Sequence, residues 1–135
     1  MKTTIKHLAF TTPFLFAIVI IFSSFTTNKN SQATGGGNAN GIQFSFSVRG
    51  LNADVAEGFI QYGSDYYNVD HASWFGKSVL LFTTDGYVFY VCDNGKPSVQ
   101  DWISDPIISQ YGQSISPSDF YWMHSVTNGN IQVKE

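Results

Sequence analysis

Apolar and polar residues alternate without a break from Ile42 to Arg49. Ile42, Phe44, Phe46 and Val48 fall on one side, and Gln43, Ser45, Ser47 and Arg49 on the other. A period of two belongs to a strand with one dry and one wet face. GLNAD then supplies turn residues, and EGFIQYG (Glu57 to Gly63) predicts the return strand, with Gly58 marking a bulge or a close backbone contact. In SDYYNVDHASW, Tyr67, Val69 and His71 alternate with Tyr66, Asn68 and Asp70, which predicts another short strand.

The stretch VLLFTTDGYVFYVCDNG (Val79 to Gly95) departs from that pattern. Two apolar runs flank Asp85-Gly86, a dipeptide suited to a two-residue hairpin turn. That turn pairs Phe82 with Phe89 and Leu80 with Val91, placing Leu80, Phe82, Phe89 and Val91 on one face. Val79, Leu81, Val88, Tyr90 and Cys92 share the other. An antiparallel hairpin open to solvent would show one polar face. Both faces here are apolar, so the hairpin is expected to be central, with its second face under a loop, the C-terminal segment or a partner. The segment from Trp102 to Trp122 is the covering candidate within the chain. Pro106, Gly112 and Pro117 keep it irregular, and Val99 to Asp105 has room for one helical turn. Asn128-Gly129 predicts a turn before a last strand carrying Ile131 and Val133. No segment keeps a helical period for three turns. The expected fold is all-β, a small antiparallel β-sandwich or β-barrel of about six to eight short strands.

Composition changes the picture at the N-terminus. Lys2 and Lys6 precede an apolar run that is densest from Phe14 to Phe22, and a polar stretch with small residues follows. This order describes a secretory signal peptide. Ser31 and Ala33 suit a cut after Ala33, making residues 1–33 the signal peptide and the destination secreted or periplasmic. An uncleaved anchor is the competing reading, since a span needs about 20 apolar residues; Thr11, Thr12 and Pro13 interrupt the run. With cleavage no stable membrane anchor remains. Residues 34–41, rich in Gly and Asn, read as a flexible leader, and residues 42–135 as a single β-domain.

The mature part carries only Arg49, Lys77, Lys96 and Lys134 against ten acids, a balance near −6. An acidic surface repels phosphate backbones and anionic lipid, so nucleic acid is not an expected partner. With Cys92 alone, no internal disulfide is possible. The fold must then rest on its core, to which abundant aromatic residues contribute large buried areas.

The landmarks ATGGG, FSFSVRG, AEGFIQY, FYVCDNG and NGNIQV occur in that order. The series resembles an uncharacterised family of small secreted bacterial β-domains with GGG, FxF, DNG and C-terminal GNIQV landmarks. The resemblance covers most of the mature chain. It implies a β-domain without an established activity and supplies no catalytic residue.

Four constellations bear on chemistry. Cys92 would need a nearby base to act as a nucleophile; in an apolar strand it reads as a small hydrophobe. Asp70-His71 and His124 lack zinc-motif spacing. Asp93, Asn94, Asp101 and Asp105 offer hard oxygen ligands for calcium, although Asp93-Asn94-Gly95 alone makes a good turn. Acids suited to glycoside hydrolysis are present but none is marked by an apolar pocket. The aromatic residues Tyr66, Tyr67, Trp74, Trp102, Tyr111 and Trp122, with Phe75 and Tyr121, can stack on sugar rings or anchor a protein, or else complete the core. No pattern calls for a cofactor. The expectation is a non-enzymatic binding module for a glycan, peptide or surface partner, with possible pairing of copies through Val79–Cys92. An accessory domain without a ligand is the alternative, and a secreted hydrolase the third reading.

Overall fold

The strict alternation at Ile42 to Arg49 becomes the wall of a closed barrel. The computed structural model describes residues 31–96, 99–109 and 114–135. The signal peptide expected over residues 1–33 therefore lies outside the described residues up to residue 30. Among the described residues nine strands follow in chain order: β1 Gln32–Ala39, β2 Ile42–Asn52, β3 Val55–Tyr62, β4 Asp65–Trp74, β5 Ser78–Thr83, β6 Tyr87–Cys92, β7 Trp102–Ser104, β8 Ile107–Ile108 and β9 Met123–Lys134. Every pairing is antiparallel. Strands β1 to β6 form a meander, β7 joins β6 to β9, and β9 returns to β1. The result is an eight-stranded antiparallel β-barrel, with β8 an extra strand on β6. Asp105 and Pro106 separate β7 from β8, and the ladder to β6 slips by one residue across them.

An eight-stranded barrel has an interior just wide enough for side chains to fill it. Phe44, Phe46, Val48, Ile60, Val69, Leu81, Phe89, Val91, Ile131 and Val133 fill this one. Their bulk explains β1. The positions of β1 facing these rings are Ala33, Gly35, Gly37 and Ala39, all small, and a Cβ on Gly35 would meet the Phe46 ring at 2.8 Å. The Gly/Asn stretch expected as a flexible leader is thus a strand paired on both sides. Asn40-Gly41 makes its tight turn into β2, both residues having positive φ (51° and 81°). The β-domain accordingly starts near Gln32 rather than at Ile42, and a cut after Ala33 would fall inside β1.

Two turn expectations change. The β5–β6 register pairs Val79 with Val91, Leu80 with Tyr90 and Leu81 with Phe89, one residue away from the expected pairing. The loop takes three residues, Thr84 to Gly86, with Gly86 at φ 93°. Thr83 Oγ1 accepts the Tyr87 N–H at 2.9 Å and donates to Asp85 Oδ1 at 2.6 Å. A one-residue slip exchanges faces, so Val79, Leu81, Phe89 and Val91 point inward and Leu80, Phe82, Val88 and Tyr90 outward. Asn128-Gly129 is not a turn but part of a continuous β9, opposite a register shift between Gly36 and Asn38. Gly129 is required there because a Cβ would collide with the Gly36 carbonyl. Gly58 does lie at a register irregularity, between β3 and β4. The single helical turn considered for Val99 to Asp105 is β7 instead.

The second apolar face of the hairpin is covered from within the chain. Leu80 and Val88 pack with Phe120, and Ile107, Ile115 and Met123 complete the cluster. The Phe120 and Tyr90 ring centroids lie 5.6 Å apart. A 3₁₀ turn at Pro117–Asp119 sets the approach of Phe120, and the Asp119 carboxylate accepts the Ser116 N–H at 2.8 Å. β4 pairs with one edge of the hairpin and β7 and β8 with the other. The Tyr90 N–H between β7 and β8 donates to Ser104 Oγ at 2.9 Å. Among the described residues both edges of the hairpin Val79–Cys92 are thus paired within the chain.

Candidate binding cleft

The barrel is closed unevenly, and the uneven part holds the cleft. β9 pairs with β1 along most of its length but with β7 only through Met123, His124 and Ser125. Beyond Ser125 the loop from Asp93 to Asp101 takes the place of a strand. The Asp101 main chain begins this, its carbonyl accepting the Val126 N–H at 2.8 Å. Asp101 Oδ2 then accepts the Ile131 N–H at 2.6 Å and Oδ1 the Asn94 N–H at 2.9 Å. Asp93 Oδ2 accepts the Val133 N–H at 3.0 Å and Oδ1 the Gly95 N–H at 2.7 Å. The Asn94 side-chain amide donates to the Gln100 carbonyl. Two carboxylates thus satisfy strand N–H groups that a neighbouring strand would otherwise take.

A cleft of about 680 Å³ lies over this seam. Its floor is the outer face of β1 and β9, where Gln32 faces Lys134 and Thr34 faces Gln132. Its wall includes Lys77, Lys96 and Gln100. Lys77 Nζ is 4.0 Å from Asp93 Oδ2. Among the described residues, no carboxylate lies within 4.0 Å of Lys96 or Lys134.

A second polar cluster closes one end of the barrel. Tyr62 Oη donates to Asp105 Oδ1 at 2.7 Å. His124 Nε2 lies 3.1 Å from Asp105 Oδ2 but out of line for a hydrogen bond. Burial, and then the bond to Asp105, holds the Tyr62 phenol well above its ordinary pKa. Burial also pushes the Asp105 carboxyl upward, but the Tyr62 hydrogen bond and the His124 contact outweigh it and hold Asp105 below the usual range. The cluster keeps a neutral tyrosine bound to an ionised carboxylate. From Tyr62 a chain of tilted and edge-on ring contacts runs through Phe89 and Tyr67 to Tyr87, with ring centroids 5.1 to 5.5 Å apart.

The expected aromatic site does not assemble. Tyr67 is in the core, and Trp74 packs against the core and beside Gly50. Tyr66 stacks on Phe59 at 5.6 Å on the outer face of β3 and β4. Trp102 is partly exposed on β7, opposite Cys92 and Ser125. Tyr121 and Trp122 are 85% and 80% exposed beside the anchored Phe120. Tyr111 lies outside the described residues. The calcium candidates divide: Asp93, Asn94 and Asp101 meet at the seam, whereas Asp105 belongs to the Tyr62 cluster. Among the described residues no group of three His, Cys, Asp or Glu is arranged to hold a metal. His71 lies on the outside of β4 with Nδ1 3.0 Å from Asp70 Oδ1, apart from His124.

The Cys92 thiol is half-buried, and burial raises its pKa, with Asp101 adding to the rise and a contact with Tyr90 opposing it. A thiol held up in this way is a weak nucleophile. The sequence marks Asp93 and Asp101 as candidate calcium ligands rather than as acceptors for the N–H groups of β9, and it does not mark the three lysines as a group. The available signal was the scarcity of basic residues, but their meeting depends on β9 lying across from the Asp93 loop. A comparison of the chain with known protein families, curated proteins and solved structures finds no match.

Proposed function

We propose that this chain is an exported, non-enzymatic binding module whose ligand lies in the seam cleft between β9 and the Asp93–Asp101 loop. The observation that carries the reading is the cleft itself: about 680 Å³, within the size range of small-ligand sites, and walled by a loop tied down at both ends by carboxylate–amide bonds. Holding Asp93 and Asp101 in place before binding lowers the ordering cost. The barrel interior, by contrast, is filled with side chains. The raised thiol of Cys92 and the bound Tyr62 hydroxyl favour binding over nucleophilic chemistry. Export rests on the sequence of the first 30 residues, and glycans and peptides of the cell exterior follow as the ligands to try.

Amide hydrogen exchange with a panel of extracellular polysaccharides and peptides tests the reading. Ligand-dependent protection over Asn94–Lys96 and Asn130–Lys134 is the expected result. Protection confined to Trp102 and Trp122 would move the site to the exposed aromatics. No protection across the panel would leave the ligand-free accessory role.

A further inference from the structure

Charge is segregated on this molecule. Four basic residues lie between Ser31 and Glu135, and three of them, Lys77, Lys96 and Lys134, line this cleft. The fourth, Arg49, is paired with Glu57 on β2 and β3. Of the ten acids, only Asp93 and Asp101 line the cleft, and each accepts two backbone N–H groups, which offsets its charge locally. The cleft is thus the cationic spot on an otherwise acidic surface.

We infer that the cleft binds an anionic polysaccharide. This deepens the binding reading above and rests on it. The Lys96 and Lys134 ammonium groups, with Lys77 beside them 4.0 Å from Asp93 Oδ2, take the acidic groups of the polymer. Gln32, Gln100, Asn130 and Gln132, which share the lining, carry side-chain amides that both donate and accept, as paired sugar hydroxyls require. An extended peptide fits less well. Adding a strand to β9 would need the N–H groups of Ile131 and Val133, and Asp101 and Asp93 already hold them. The shared chemistry is a polyhydroxylated chain bearing carboxylates or sulfate esters.

Titration calorimetry on the full chain tests this with polygalacturonate for carboxylates, dextran sulfate for sulfate esters, and neutral dextran and polyglutamate as controls. One of the two acidic polysaccharides is expected to bind, which also identifies the acidic group. Raising salt from 50 to 300 mM weakens binding because exposed charge pairs are screened. The triple variant Lys77→Gln, Lys96→Gln, Lys134→Gln, with melting temperature as the check on folding, loses about tenfold, as three exposed pairs of about twofold each would give. Arg49→Gln binds as the parent does. Absence of binding to both acidic polymers, equal binding to dextran or polyglutamate, or an unchanged affinity in the triple variant overturns the inference. If a neutral glycan protects the cleft in hydrogen exchange while both acidic polymers fail, the ligand class is wrong but the binding site stands.

Discussion

Removing the Asp101 carboxylate should unlatch the barrel seam. Asp101 is 8% exposed and accepts two backbone N–H groups, from Asn94 and Ile131. Hydrogen bonds to a charged group contribute about 1.5–3 kcal/mol each, and a buried donor left without an acceptor costs about 1–3 kcal/mol. Desolvation of the carboxylate offsets part of the gain. The net expectation for Asp101→Ala is a loss of about 3 kcal/mol, a large share of the 5–15 kcal/mol typical of a domain. For a body of about 100 residues each kcal/mol moves the melting temperature by about 4 °C, so a fall of about 12 °C is expected. Asp101→Asn keeps a neutral acceptor for one N–H and should fall about half as far. Calorimetry supplies the melting temperatures, and hydrogen exchange should show the Ile131 amide becoming labile in the Ala variant. A shift below about 3 °C for Asp101→Ala, with Ile131 still protected, would refute the view that a carboxylate substitutes for a strand here.

Phe120→Ala opens the outer cluster over Leu80 and Val88; a loss of about 3 kcal/mol and new binding of a hydrophobic dye are expected, and an unchanged denaturation midpoint would count against the cover. The lowered pKa of Asp105 stabilises the fold above the unfolded carboxyl value of about 3.9 and is lost as pH falls through the folded value, so Asp105→Asn should flatten the stability–pH curve on its acid limb, as urea titrations from pH 2 to 6 would show. The raised Tyr62 phenol acts at the other end: its contribution is present below about pH 10 and is lost as pH rises through the folded value, and Tyr62→Phe should remove that alkaline dependence. Cys92 should react with a disulfide reagent at pH 7.5 about tenfold more slowly than an unhindered thiol; reaction at the unhindered rate would contradict its burial. The proposed export predicts processing on the N-terminal side of Ser31, since Ser31 and Ala33 are fully buried; mass spectrometry of the mature protein checks this, and a chain starting at Thr34 would contradict that packing role.

How far the sequence spoke depended on the range of the interaction. β2 was legible because a half-buried strand writes its two faces into consecutive residues, as Phe44, Ser45, Phe46 and Ser47 do. The double-sided hairpin correctly indicated a second cover, and Phe120 and Ile115 provide it. β1 was hidden for a physical reason: its inward positions had to be small so that Phe44 and Phe46 could fill the barrel, and a strand made small reads like a linker. Asn40-Gly41 was the overlooked signal, a tight-turn dipeptide immediately before the clearest strand. The hairpin register failed by one because the Thr83 hydroxyl and Asp85 support a three-residue loop. Tyr62, Asp105 and His124 are far apart in sequence and meet only because β3 and β7 end, and β9 begins, at the same mouth of the barrel. No local pattern announces that.

The same geometry links stability to the binding surface. A full ladder between β9 and its neighbour would seal the seam and leave no cleft. Here the loop stands in for the strand, and the Asp93 and Asp101 side chains replace part of the ladder. The gap left between the loop and the outer face of β1 and β9 is where Lys96 and Lys134 find no carboxylate partner within 4.0 Å among the described residues. Substituting the aspartates would therefore disturb fold and ligand together, whereas substituting the exposed lysines should alter binding while leaving the melting temperature within the small range usual for surface changes. If the lysine variants melt as far below the parent as Asp101→Ala does, the lysines belong to the latch rather than to a ligand surface, and the separation of the two roles fails.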